Sequence, residues 1–235
     1  MTTPVYLLRG LFEDPRNPNN MLSHLTRHLD PKRFSWSEFP VWGAGFGDYD
    51  RELDRVSTSL AQHIRDHQGP LVGAGYSGGS HVWKRAMLRL SGDDRAKVIR
   101  LVLCADPSMP AWCEMKDRVW GTEGRGFGIA ESLPLWMQNG VDYVSSNDDP
   151  ICETPPGSPL RSLAAFLTSM GPDAGMPARM RVKLAAAAVG RRYDLAAYAE
   201  AVSLFRAYAG HPSAHVVPYP PLLAQVADDI NRTVK

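Results

Sequence analysis

The chain has 235 residues, 44% hydrophobic and 22% charged, with 26 Lys and Arg against 25 Asp and Glu for a net charge of +1. Such a length suits one globular domain with a substantial core, and the charge balance excludes a nucleic-acid binder or a protein held electrostatically on an anionic membrane. No apolar run suits a transmembrane segment, no signal peptide precedes the first strand, and three cysteines, Cys104, Cys113 and Cys152, without zinc-like spacing predict free thiols, a reducing cytosol and no metal or other cofactor.

Val5 to Arg9 reads as the first strand and Gly10 to Pro18 as a loop. Met21, Leu22, Leu25 and Leu29 then mark one face of a helix. Phe34 to Phe39 predicts a second strand ended by Pro40, followed by a glycine- and aromatic-rich loop from Val41 to Tyr49. Asp50 is placed to cap a helix in which Leu53, Val56, Leu60 and Ile64 recur at helical spacing. Pro70 to Ala74 predicts a buried strand, and Val82, Trp83, Ala86, Met87 and Leu90 a helix that Gly92 stops. Val98 to Cys104 and Val141 to Val144 complete the strands. The alternation implies a mostly parallel sheet covered on both faces, with reactive groups collected at the carboxyl ends of its strands. Between the last strands, Met109, Trp112, Met115, Trp120, Phe127, Leu133, Leu135, Trp136 and Met137 crowd an irregular region, either lining a groove or packing loops. Residues 155–210 carry few strand signals and predict a helical insertion or cap between the last two strands. Leu222, Leu223, Val226 and Ile230 mark a last helix.

Gly75-Tyr76-Ser77-Gly78-Gly79 falls between a strand and a helix. A Gly-x-Ser-x-Gly in that context is the nucleophile elbow of the α/β-hydrolases: a strained turn lifts the serine Oγ clear of the sheet, and the following helix N-terminus favours a developing oxyanion. A serine needs a histidine to take its proton and a carboxylate to orient that histidine, in the chain order Ser, acid, His. His81 lies on the elbow helix ahead of any candidate acid and reads as structural. His215, just before the last helix, is favoured as the base, with His211 the alternate. Asp149, before Pro150, is favoured as the acid, with Asp148 the alternate and Asp106 after the preceding strand the runner-up. The oxyanion donors are expected to be the N–H groups of Gly78 and Leu11, with Gly10 nearest to the latter.

Arg9-Gly10-x-x-Glu13, Gly75-Tyr76-Ser77-x-Gly79 and Asp149-Pro150-Ile151-Cys152 together resemble three signatures of the cutinase-like serine esterases, in the family's order. The resemblance implies that Leu11 is the oxyanion donor of the first loop and Asp149 the acid. The chain departs from that family at Ser145, which stands where the partner of the Asp-x-x-Cys cysteine belongs, and at Gly78, where a glutamine is usual. Its histidine also comes late. Those departures, with Asp142-Tyr143 before the acid loop and His215 followed by Tyr219-Pro220, resemble the lysin B branch, the mycolyl-arabinogalactan esterases of phages of mycobacteria and their relatives. By that resemblance the chain is a monomeric serine esterase whose partner is a lipid-like acyl ester of the cell envelope, reached after release from the host cytoplasm at lysis. A general cutinase-like carboxylesterase and a non-catalytic module on the same fold are the alternatives.

Overall fold

The computed structural model of the chain describes residues 2–11, 13–14, 17–39, 49–111, 118–121, 126–133, 135, 137, 140–155, 157–158, 160–161 and 213–234. In chain order these form β1 (Thr3–Leu8), α1 (Ser23–Thr26), β2 (Phe34–Glu38), α2 (Tyr49–Asp66), β3 (Leu71–Tyr76), α3 (Gly78–Leu88), α4 (Gly92–Ala96), β4 (Val98–Cys104), β5 (Arg118–Gly121), β6 (Val141–Ser145), α5 (Ser213–Val216) and α6 (Tyr219–Thr233). The strands make one sheet in the order β2-β1-β3-β4-β6-β5, and every neighbouring pair is parallel. Parallel neighbours need crossovers over the sheet faces, so the inner strands lose both faces to the core. β3 and β6 are buried along their whole length.

Alternate residues of each strand feed two hydrophobic layers. On one face, Leu53, Val56, Leu60 and Ile64 of α2 and Val82, Trp83 and Met87 of α3 pack against Leu71, Leu101 and Leu103. On the other, Met21, Leu22 and Leu25 around α1 and Leu223, Val226 and Ile230 of α6 cover Val5, Val72 and Val102. Each such side chain contributes roughly 1.5–3 kcal/mol on burial.

Several local expectations need correction. The apolar face from Met21 to Leu29 is buried, but only Ser23–Thr26 is α-helical; turns carry the rest. Asp50 does not cap α2, which begins at Tyr49; Asp50 and Glu52 lie in the first turn, where the helix dipole favours negative charge. Gly92 does not stop the elbow helix. That helix ends at Leu88, and Gly92 opens α4, whose N-cap Ser91 accepts from the Asp94 N–H. β5 is absent from the sequence reading because Arg-Val-Trp-Gly is a four-residue edge strand, only partly buried, with no alternation to betray it. Met109 and Leu135, two of the candidate groove residues, are instead core; Trp112, Met115 and Trp136 lie outside the described residues. Of the insertion 155–210, only positions up to 161 are among them. No strand follows β6 among the described residues; α5 and α6 do.

Candidate active site

The sheet order reverses between β1 and β3, since β2 lies outside β1 while β4, β6 and β5 lie beyond β3. Loops leaving the carboxyl ends of two such strands diverge and open a crevice. Here those loops are Arg9 to Glu13 and the turn at Ser77.

Ser77 has φ 52° and ψ −121°, a region that costs a residue with a Cβ on the order of 1–3 kcal/mol. The turn is held there by its surroundings. The Ser77 N–H donates to the Cys104 carbonyl at 2.8 Å, and the Ser80 hydroxyl donates to the same carbonyl at 2.8 Å. Ser77 occupies the N-cap position of α3, where a serine oxygen ordinarily accepts a backbone N–H. It makes no such side-chain bond. Glycine is required on either side by close approach: a Cβ on Gly79 would stand 2.0 Å from the Leu8 carbonyl oxygen, and one on Gly75 would stand 2.6 Å from Ser80 Cα.

The Arg-Gly-x-x-Glu loop is fixed by its own charges. Glu13 accepts from the Gly10 N–H at 2.7 Å through Oε2 and from the Met21 N–H at 2.7 Å through Oε1. Arg9 Nε donates to the Glu13 carbonyl at 2.9 Å, and the Arg9 guanidinium pairs with Glu38. The Gly10 N–H is thereby engaged, which removes Gly10 as an oxyanion donor and leaves the Leu11 N–H as the next along the loop. A Cβ on Gly10 would lie 2.8 Å from Tyr76 Cδ1 and 3.4 Å from Ser77 Cβ, so this loop abuts the elbow. The Gly78 N–H is at the first residue of α3.

The two aspartates after β6 separate sharply. Asp148 is exposed, whereas Asp149 is 0% exposed. His215 Nδ1 lies 2.7 Å from Asp149 Oδ2, and the Ile151 N–H donates to Oδ1 at 2.9 Å. Tyr219 donates its hydroxyl to the same Oδ2. Nδ1 is thus the ring nitrogen that faces the carboxylate. The imidazole stacks on the Tyr76 ring at 5.0 Å between centroids, and the Tyr76 hydroxyl donates to the His215 carbonyl at 2.6 Å. The residue before Ser77 therefore carries the histidine on its ring. His211 lies outside the described residues.

The runner-up acid is engaged elsewhere. Asp106 and Lys84 are both 0% exposed and form an ion pair. Asp106 Oδ1 accepts from Ser108 N–H and Oγ at 2.9 and 2.8 Å, and Lys84 Nζ donates to the Ser108 carbonyl at 2.6 Å. This knot ties the elbow helix to the loop after β4. His81 is structural, as its position implies: Nδ1 meets the Tyr49 hydroxyl and Nε2 meets Glu131 Oε1, each at 2.9 Å. Asp142, in the Asp-Tyr pair before the acid loop, is fully buried against Arg100 and accepts from Trp120 Nε1 at 2.8 Å. Cys104 and Cys152 are buried free thiols, and burial holds both in the neutral form by raising their pKa well above the ordinary value. Cys113 lies outside the described residues. The contacts of Tyr76, Glu13 and Tyr219 were not legible beforehand. Tyr219 stands 70 residues beyond the carboxylate it bonds, a distance that no local spacing encodes.

No protein-family model matches the chain, and no curated protein matches it at a significant level. Solved structures do resemble it. An acetylxylan esterase determined at 0.90 Å superposes with a TM-score of 0.54 and 15% identity over 71% of this chain and 96% of its own. The catalytic core domain of acetyl xylan esterase from Trichoderma reesei gives 0.53 and 12%, over 71% and 91%. A cutinase-like protein from Cryptococcus sp. gives 0.46 and 19%, over 65% and 80%. These likenesses concern the fold, which is the cutinase-like α/β-hydrolase fold.

Proposed function

We propose that the chain is a serine ester hydrolase working through Ser77, His215 and Asp149. The observation that carries this reading is the buried His215–Asp149 bond, with its imidazole stacked on the residue preceding a strained, uncapped serine. His215 Nε2 takes the Ser77 proton as Oγ attacks the acyl carbonyl. Asp149, fixed on Nδ1, holds the tautomer and stabilises the imidazolium. The N–H groups of Leu11 and Gly78 receive the oxyanion, a contribution on the order of 3 kcal/mol per donor in comparable sites. His215 then protonates the leaving alcohol, and a water activated by the same nitrogen releases the acid from Ser77.

For the substrate, we propose a long-chain acyl ester of a cell-wall sugar, most concretely the mycolyl ester of arabinogalactan, cleaved at the envelope after phage-induced lysis. The support is the motif resemblance to lysin B and the late histidine. A second reading, a short acyl ester on a polysaccharide, is favoured by the acetylxylan esterases among the structural neighbours. The Ser77→Ala variant is expected to lose turnover of a chromogenic short-chain ester and labelling by a fluorophosphonate while keeping its circular dichroism. Retained turnover would end the serine-hydrolase reading. Parallel assays on purified mycolyl-arabinogalactan, acetylated xylan and a triglyceride then choose the substrate class.

A further inference from the structure

We infer that Tyr219 is a positioning residue of this same reaction, fixing the Asp149 carboxylate and the charge that it presents to His215. The inference rests on Asp149 being the acid of the proposed function. Asp149 Oδ2 carries two donors, His215 Nδ1 at 2.7 Å and the Tyr219 hydroxyl, while Oδ1 takes the Ile151 N–H at 2.9 Å. Three donors on two oxygens fix both the plane and the rotation of the carboxylate. Tyr219 is rigidly held: it is 0% exposed, begins α6 between Pro218 and Pro220, and presents its ring edgewise to Tyr76 and His215 at 6.3 Å from each. A buried phenol needs an acceptor, yet this one is aimed at the carboxylate oxygen that faces the histidine.

The electrostatic consequence has a definite sign. A second donor on Oδ2 draws negative charge away from the imidazole, so removing that donor should strengthen the carboxylate's hold on the imidazolium. Among the described residues, the ionisable groups around this pair include Cys104 from β4, Cys152 and Glu153 after Asp149, Glu13 from the loop after β1 and Tyr76 from β3. Burial keeps both thiols and the Tyr219 phenol protonated, so none of the three competes as a titrating base. Cys152 Sγ, 3.5 Å from the Tyr219 oxygen, is a neutral neighbour.

Tyr219→Phe removes only the oxygen. Without it, the acidic limb of the kcat/KM profile on a chromogenic ester is expected to move up by roughly one pH unit, with plateau kcat down several-fold and KM unchanged. A limb that stays in place, whatever the plateau rate, overturns the inference and reduces Tyr219 to packing. Replacing Tyr219 by 3,5-difluorotyrosine, a stronger donor of nearly equal shape, should move the limb down; this decides the matter if Tyr219→Phe fails to fold. Asp149→Asn separates the two levels. Full activity in that variant brings down the acid assignment, whereas an inactive Asp149→Asn with an unmoved limb in Tyr219→Phe overturns the tyrosine alone.

Discussion

Gly79→Ala is a single methyl group placed where the elbow helix crosses the end of β1. The added Cβ would lie 2.0 Å from the Leu8 carbonyl oxygen, 2.5 Å from Leu8 C and 2.7 Å from the Arg9 oxygen, and contacts under 3.0 Å are essentially unknown for real Cβ atoms. All three neighbours are backbone of β1 and its exit, and Leu8 pairs in register with Gly75 of β3. No side chain can rotate away, so α3 must retreat by about 1 Å. Overpacking of this kind costs about 1–3 kcal/mol, which lowers the melting temperature of a domain this size by roughly 2–4 °C per kcal/mol. Because Ser77 precedes α3 and the Arg9–Leu11 loop leaves β1, the same retreat separates the proposed nucleophile from the proposed oxyanion donor Leu11. A 1 Å error in such geometry can cost about a hundredfold in rate. Gly92→Ala is the control, since nothing lies within 4 Å of its Cβ, and it should melt at or slightly above the parent temperature. Thermal melts followed by circular dichroism, with kcat/KM on a chromogenic ester, measure both consequences. A Gly79→Ala protein with the parent's melting temperature and rate would refute the close-approach argument.

Two further outcomes probe the support of the site. Lys84→Met leaves Asp106 charged and fully buried without its cation, so a loss of about 3–5 kcal/mol is expected in chemical denaturation; Lys84→Met combined with Asp106→Asn should lose less than Lys84→Met alone. Glu131 has its pKa lowered by the hydrogen bond from His81, against opposing desolvation and aided by Arg85. A lowered carboxylate contributes stability that is complete above its ordinary value near 4.5 and fades as pH falls through the depressed value. The melting-temperature gap between the parent and Glu131→Gln should therefore persist down to about pH 4.5 and shrink below it. A gap that keeps growing below pH 4.5 would contradict the His81–Glu131 contact.

The fold was legible because a parallel sheet writes its inner strands as apolar runs. Val98–Cys104 has the bounds that its sequence suggests, and the elbow announces itself through two glycines that space alone demands. Asp149 and His215, favoured on position, are brought together, while Asp148 points to solvent. The sequence reading failed where the signal is short or non-local. β5 is four residues at an edge, Gly92 is a helix start that composition reads as a stop, and the Asp106–Lys84 pair joins groups 22 positions apart, which made Asp106 look available. The tyrosines that hold the histidine and the acid act across 139 and 70 positions, where only the folded chain supplies the meaning.

The tie between Tyr76 and the His215 carbonyl joins the end of β3 to α5 across 139 positions. The Ser77 turn, the Arg9–Leu11 loop and Asp149 lie at the edge of the sheet, but the proposed base, His215, belongs to α5 beside α6. α6 is fastened back to the early chain: Asn231 bonds the His28 carbonyl and the Asp30 N–H, and Arg33 bonds the Asn231 and Val234 carbonyls. The proposed base is thus anchored through α6, which packs against the layer built around α1, so loosening that distant seam should loosen the His215–Asp149 contact as well.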